Sequence, residues 1–327
     1  MSSTTGRALG ILLGFTADRL LGDPRRYHPV AGFGRTASAL ERHLYADSRE
    51  AGVTYTAILV GTTTVLGLAA ERLTRKHPLL NTAVTAAATW TVLGARSLER
   101  EAETMAALLE EKDIPGARDR LSHLCARDAT DLEADELARA TVESIAENTS
   151  DACVAPLLWG GVFGVPGLLA YRAANTLDAM VGYRSPKYEN FGWAAARLDD
   201  VLNLLPARAC AALTALTSGR PAGAVRVWRR DAGKHPSPNA GPVEAAFAGA
   251  LGLTLGGTND YGTYVENRGT LGDGPPPTTA DIRRTAALAR RVGVSAAGVA
   301  ALTALLARQA RRTRTRRGAH GEWKKWV

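Results

Sequence analysis

The chain has 327 residues, with 40 lysines and arginines against 32 aspartates and glutamates and a formal net charge of +8. Hydrophobic residues at 46% and charged residues at 22% exclude an intrinsically disordered chain and are ample for a sizeable core. Three cysteines, Cys125, Cys153 and Cys210, stand far apart without a CxxC or Cys/His cluster, which argues against a disulfide scaffold and a structural zinc site.

The first apolar run, Ala8–Leu21, contains Asp18 and Arg19 and lacks a small-residue cleavage site, so it reads as a retained helix and not as a secretory signal. A loop, GDPRRYHPVAGFGR, comes after it. Three uncharged stretches come next: twenty residues between Glu50 and Glu71, nineteen between Lys76 and Arg96, and twenty between Asp151 and Arg172. A helix rises 1.5 Å per residue, so about twenty residues cross about 30 Å of hydrocarbon. The first two stretches predict a helical hairpin joined by the basic turn ERLTRKHP, with Lys76 on the cytoplasmic side. All three are rich in Ala, Thr and Gly, which lets neighbouring helices pack closely.

Residues 98–150 are densely charged with apolar positions at helical spacing, and they predict a water-exposed helical segment broken at Pro115-Gly116. Shorter apolar stretches occur at Val201–Thr217, Ala245–Thr258 and Val292–Ala307. Residues 256–277, GGTNDYGTYVENRGTLGDGPPP, are the longest irregular segment expected, and no alternating β-branched run calls for a sheet. The expected fold is therefore one all-α domain over 1–327, a polytopic membrane helix bundle with irregular polar loops. A soluble helical protein with buried uncharged helices is the rival reading. The tail 308–327 favours the membrane: its eight cations are opposed only by Glu322, which marks a cytoplasmic C-terminus in a multi-pass cell-membrane protein. The charge outside that tail is nearly balanced, which excludes nucleic acid as the expected partner.

Phosphate-loop, dinucleotide, HExxH and GxSxG signatures are absent. Polar residues concentrate instead in four places. On a helix Glu143, Glu147 and Asp151 share one stripe; like charges at that spacing repel, so either Mg²⁺ or arginines must compensate, unless the stripe is a solvated helix end. Arg172, Asn175 and Asp178 lie directly after an apolar stretch, where ionisable groups are costly, and Tyr183, Arg184, Lys187 and Tyr188 form a loop suited to phosphate or carboxylate. Asp199 and Asn203 stand one turn apart beside Arg197 and Asp200, an all-oxygen set that suits a hard cation or a plain surface turn. Finally, the rigid loop from Lys234 and His235 through Ser237 and Asn239 leads into a helix carrying Glu244.

Four segments together carry a family resemblance: ADRLLGDPRRYHPVAGFGR (17–35), ESIAENTSDACVAPLLW (143–159), YRAANTLDAMVGYRSPKYENFGWAAARLDDVLNLLPAR (171–208) and DAGKHPSPNAGPVEAAFAGALGLTLGGTNDYG (231–262). The chain resembles the CobD/CbiB family of cobalamin biosynthesis, the adenosylcobinamide-phosphate synthases, over most of residues 8–290. The resemblance implies a multi-pass membrane ligase. It implies that adenosylcobyric acid is joined through its f-propionate carboxylate to (R)-1-aminopropan-2-ol or its O-phosphate, with ATP and Mg²⁺, and with other cobalamin-assembly enzymes as possible partners. A carboxylate resists an amine until its oxygen is made a leaving group, so ATP would form an acyl phosphate and the amine would attack as free base. On that chemistry Glu147, Asp199 and Asp200 are the expected metal ligands, and Asp151, Asp178 and His235 the expected catalytic groups. Arg172, Asn175, Arg184, Lys187, Tyr188, Arg197, Asn239 and Glu244 are the expected substrate and phosphate contacts. A membrane transporter and a non-catalytic scaffold for corrinoid-assembly enzymes remain the alternatives.

Overall fold

The computed structural model of the protein describes residues 3–24, 27–125, 127–183, 185–260 and 265–322, with the side chains of all of these except 3–4, 259–260, 265 and 307–322. Arg184 and the side chains of the basic tail therefore lie outside the described residues. The first half folds as α1 (Ser3–Leu21), α2 (Pro29–Leu44), α3 (Arg49–Thr74), α4 (Pro78–Val92), α5 (Ala95–Glu110), α6 (Ile114–Leu121) and α7 (Ala134–Thr149). The second half folds as α8 (Ala155–Phe163), α9 (Val165–Leu177), α10 (Trp193–Thr217), α11 (Pro221–Asp231), α12 (Ala240–Leu251) and α13 (Thr279–Glu322). Helix starts obey local capping chemistry. Ser48 Oγ accepts the Ala51 amide at the start of α3, His28 Nδ1 accepts the Val30 amide ahead of Pro29, and Asp113 accepts the Gly116 amide at α6.

Two helices are long and apolar enough to cross a membrane among the described residues: α3, and residues 279–306 of α13. Of the three uncharged stretches, only the first forms such a helix. The second is α4, fifteen residues long, or about 22 Å, because Pro78 starts it late and the chain leaves the helix at Leu93. The third is divided at Gly164, whose φ of +75° suits glycine alone and whose absent Cβ leaves room for the Arg7–Glu71 ion pair. The α13 span was expected only as the shorter stretch Val292–Ala307. Mostly helical architecture is thus observed, with two candidate spans where a polytopic bundle was expected.

Residues 256–277 are not wholly irregular. β1 (Leu255–Asp260) and β2 (Val265–Leu271) form an antiparallel pair with Leu255 opposite Leu271 and a register shift between Gly256 and Thr258. Positive-φ glycines at 256, 257 and 269 accommodate the irregularity, and no alternating apolar pattern announces the pair.

One continuous apolar core runs through α1, α5–α8 and α10–α13, and includes Ile11, Met105, Ile145, Leu157, Phe247 and Val292. A smaller core, built on Tyr55, Leu177, Val181, Tyr188 and Phe191, joins α2, α3 and α9 to the loop before α10. Within the charged segment 98–150, α5 keeps a wet face, whereas α7 is buried from Leu137 through Ala146 apart from Arg139. Burial of α7 places the acidic stripe inside the molecule.

Candidate functional site

Five carboxylates from separate segments converge. α7 contributes Glu147, the next turn Asp151, the turn after α9 Asp178, and α10 both Asp199 and Asp200; each of Asp151 and Asp178 feels the charge of Asp199 and of Glu147. Asp151 and Asp178 occupy two short π-helical turns, Ser150–Val154 and Asp178–Gly182. A π turn inserts one residue into the helical ladder and so rotates the residues beyond it, a device found often where a side chain must be aimed. At the second turn Gly182 lies so close to the Asp178 carboxylate that a Cβ there would collide with it.

A hydrogen-bond chain orders the centre. Tyr171 donates its hydroxyl to Asn203 Oδ1 at 2.8 Å, Asn203 Nδ2 donates to Asp199 Oδ2 at 2.8 Å, and Asn175 Nδ2 donates to Asp199 Oδ1 at 3.3 Å. Asp199 is therefore fixed at both oxygens. Asn239 donates Nδ2 to the Asp200 carbonyl at 2.8 Å, tying the loop before α12 to α10, and Arg197 faces the Asp200 carboxylate at 3.5 Å. Arg172 reaches Asn175 at 3.5 Å and leaves its Nε buried without a partner. It also lines a mainly apolar cavity of about 180 Å³ with Val30, Phe33, Val92 and Leu169.

Crowding sets the electrostatics. Burial and then neighbouring Asp199 push Asp178 up to about 7, and burial pushes Asp199 up to about 6 against its hydrogen bonds from Asn203 and Asn175. Asp151 is raised well above the carboxylate range by burial and then by Asp199, Glu147 and Asp178, with Arg172 pulling the other way. Fully ionised, the group would carry more negative charge than its own cations balance, and the raised values are the cost of that imbalance. Among the described residues no three Asp, Glu, His or Cys side chains stand close enough to hold a metal ion as they are. The donors are nonetheless all oxygen, the set Mg²⁺ takes, and a bound cation would favour their ionised form.

Beside this seam lies a second buried network, joined to it by Glu147. Glu143 accepts from Arg127 Nη2 at 2.7 Å and from the Gly256 amide at 2.8 Å, which clamps β1 onto α7. Glu244 lies 3.4 Å from Arg268 and 3.7 Å from His235, and burial followed by the charge of Glu143 raises it well above the usual range. His235 accepts the Ser237 amide on Nδ1, and burial lowers it to about 4. Lys187 is engaged elsewhere, by Glu41 at 2.7 Å and by the Tyr188 hydroxyl at 2.9 Å.

Of the residues selected from sequence, Glu147, Asp151, Asp178, Asp199, Asp200, Arg172, Asn175, Arg197 and Asn239 belong to the seam. His235 and Glu244 stand in the adjoining network, Tyr188 in the smaller core, and Lys187 on the surface beside it. Tyr171 is absent from the site residues expected from sequence, whereas Asn203 is legible there as the neighbour one helical turn after Asp199, and it serves to hold Asp199. Arg127 gives no signal, since it sits in a charged segment that reads as solvent-exposed.

A family model described as CobD/Cbib protein matches residues 11–289. The chain is similar to the cobalamin biosynthesis protein CobD of Mycobacterium tuberculosis, 52% identical over 301 residues that cover 90% of this chain and 95% of the relative. It is also similar to the proteins of that name from Chromobacterium violaceum, 45% identical over 87% of this chain and 92% of the relative, and Geobacter metallireducens, 44% identical over 83% and 88%. No solved structure matches the chain.

Proposed function

We propose a reaction for this chain from one premise: it belongs to the CobD/Cbib family, and its role lies in cobalamin biosynthesis. The finer reading is ATP-dependent amide ligation at the membrane, in which the f-propionate carboxylate of adenosylcobyric acid is joined to (R)-1-aminopropan-2-ol or its O-phosphate. One observation carries this reading above a transporter or a scaffold. Five carboxylates, two arginines and three asparagines from the motif segments meet in one ordered, charge-unbalanced seam, an arrangement that is costly to fold without a use for it.

When bound, ATP and Mg²⁺ supply activation of the propionate and screening of the charge that develops on it. Glu147, Asp199 and Asp200 are the residues that would hold the cation, with Asn175 and Asn203 fixing the angle of Asp199. Arg172 binds the anionic end of the amine substrate: its cavity is on the scale of a small amine phosphate and far too small for a corrin. Asp178, poised near neutrality, takes the proton from the ammonium group so that the nitrogen lone pair is free to attack. Asp151 holds that ammonium before transfer. Residues 49–74 and 279–306 anchor the chain in the bilayer. Arg197 and Arg184 remain candidates for the nucleotide phosphates.

The seam gives a pH signature independent of turnover. A carboxyl raised in the folded state binds protons that the unfolded chain releases at about pH 4, so it stabilises the fold at low pH and loses that contribution as pH rises through its folded value. With Asp199 near 6 and Asp178 near 7, the stability of the metal-stripped protein falls between about pH 5 and 7.5. The expected result is a lower melting temperature at pH 7.5 than at pH 5 in chelator, restored at pH 7.5 by millimolar Mg²⁺. A melting temperature indifferent to Mg²⁺ and to this pH change would remove the carboxylates from the cation site.

A further inference from the structure

A cavity of about 570 Å³ lies at the opposite end of α9 from Asp178, between α1, α3 and the α8–α9 junction. Its lining combines two kinds of residue. Leu68 of α3, Val162 and Phe163 of α8 and Pro166 of α9 are apolar. Arg7, Arg72 and Arg75 are cationic against one acid, Glu71. Glu71 is already taken by Arg7, which also donates to the Val162 carbonyl. Arg72 and Arg75 are exposed and their guanidinium groups have no carboxylate partner among the described residues.

The helices that line it also carry bare apolar surface. Val65, Leu66 and Leu73 of α3 are 62%, 60% and 78% exposed, and Val162 and Phe163 are 38% and 56% exposed. Only 22% of the apolar window of α3 is buried against the rest of the molecule. A soluble protein seldom leaves so long an apolar helix face uncovered. The two unpaired arginines stand within the last turn of this helix and just beyond it. On a helix that crosses a bilayer, that is the depth at which hydrocarbon gives way to headgroups.

We infer that this cavity binds an anionic phospholipid, with its phosphate between Arg72 and Arg75 and an acyl chain along Leu68, Val162 and Phe163. The cationic and apolar lining residues are complementary to the two halves of such a lipid, and neither half alone accounts for both. Arg7 is the third cation of the lining, and its bond to Glu71 keeps that acid from repelling the phosphate. Gly164 makes the arrangement possible, since any side chain there would strike the Arg7–Glu71 pair. The inference rests on α3 as a membrane span and is independent of the ligase reaction.

The test is native mass spectrometry of the full-length protein in neutral detergent, titrated with phosphatidylglycerol and with phosphatidylcholine of the same acyl chains. The wild type should retain phosphatidylglycerol preferentially. Arg72→Gln and Arg75→Gln should each weaken that retention about fivefold, and together about twenty-five-fold, as loss of one and two cations at an anionic surface predicts. Phosphatidylcholine, whose choline offsets the phosphate charge, should be weakened less than phosphatidylglycerol, so that the preference disappears, and the melting temperature should not change. These variants leave the arginine-rich tail intact, so they separate the cavity from the tail's own attraction for anionic lipid. Equal retention of the two lipids, or a double variant that keeps the preference, overturns the site while leaving α3 a span. Displacement of phosphatidylglycerol by millimolar inorganic phosphate would assign the arginines to a free anion and also overturn it. A chain that stays monodisperse without detergent and binds neither lipid overturns the span and the site together.

Discussion

Asp151→Asn should lower amide formation by about 100- to 1000-fold, the range seen when one preorganised electrostatic group is lost from an active site. The same change should raise the melting temperature of the metal-free protein by a few degrees. Asp151 is half-buried beside Asp199, Glu147 and Asp178, and Arg172 eases it among the described residues. Asparagine keeps the shape and removes the charge, so the fold is relieved while the site loses its ammonium contact. A purely structural carboxylate would behave the other way, because its replacement leaves partners unpaired and lowers stability. Thermal melting and turnover measured on the same preparation separate the two. Loss of stability with turnover unchanged would contradict the assignment. The gain in melting temperature should shrink when Mg²⁺ is present, because the cation relieves the same repulsion in the wild type.

Glu143→Ala should produce the largest loss of stability, about 3–5 kcal/mol, because it strands a buried guanidinium. Arg127 and Glu143 have side chains 4% and 2% exposed and meet at 2.7 Å, and Arg127 already has two further nitrogens without partners. The variant also orphans the Gly256 amide and so releases β1 from α7. Arg127→Met combined with Glu143→Leu removes both charges and should recover the part of the loss due to the stranded guanidinium, leaving the cost of the orphaned Gly256 amide. Denaturant unfolding of the two variants in detergent measures this directly. A single variant within about 1 kcal/mol of wild type would mean that the clamp contributes little.

The acidic stripe shows what the sequence could convey. Helical spacing puts Glu143, Glu147 and Asp151 on one face and requires a compensating cation, either a metal or arginine. The structure divides the stripe between those two answers. Glu143 is neutralised by Arg127, with Arg139 at 3.8 Å, whereas Asp151 meets more carboxylates. Spacing alone could not reveal the division, because Arg127 comes from outside the helix and the π turn at 150–154 re-aims Asp151 after the regular stripe ends.

The membrane pattern misleads for a comparable reason. Uncharged length is necessary for a span, but where a helix ends depends on single residues. Gly164 breaks one uncharged stretch, and a start at Pro78 with an exit at Leu93 shortens another. The reverse error occurs at α13, where arginines at 283, 284, 290 and 291 cut the apolar reading short, yet the helix continues through them. Those four face the wet end of the bundle, with Arg283 on Glu110 and Arg290 near Glu99. The motif segments themselves are fully legible as a family, and their convergence from four separate parts of the chain is not.

The most direct test of the ligase assignment is reconstitution of the purified full-length chain with adenosylcobyric acid, Mg²⁺ and ATP, supplied in turn with aminopropanol and with its O-phosphate. Mass spectrometry tracks the corrinoid. The account predicts a mass gain corresponding to one amide bond with at least one of the two amines, dependent on ATP and lost in Asp151→Asn. Folded, corrinoid-binding protein that forms no product with either amine would contradict it, and would turn attention to a scaffold whose ligase is a different chain.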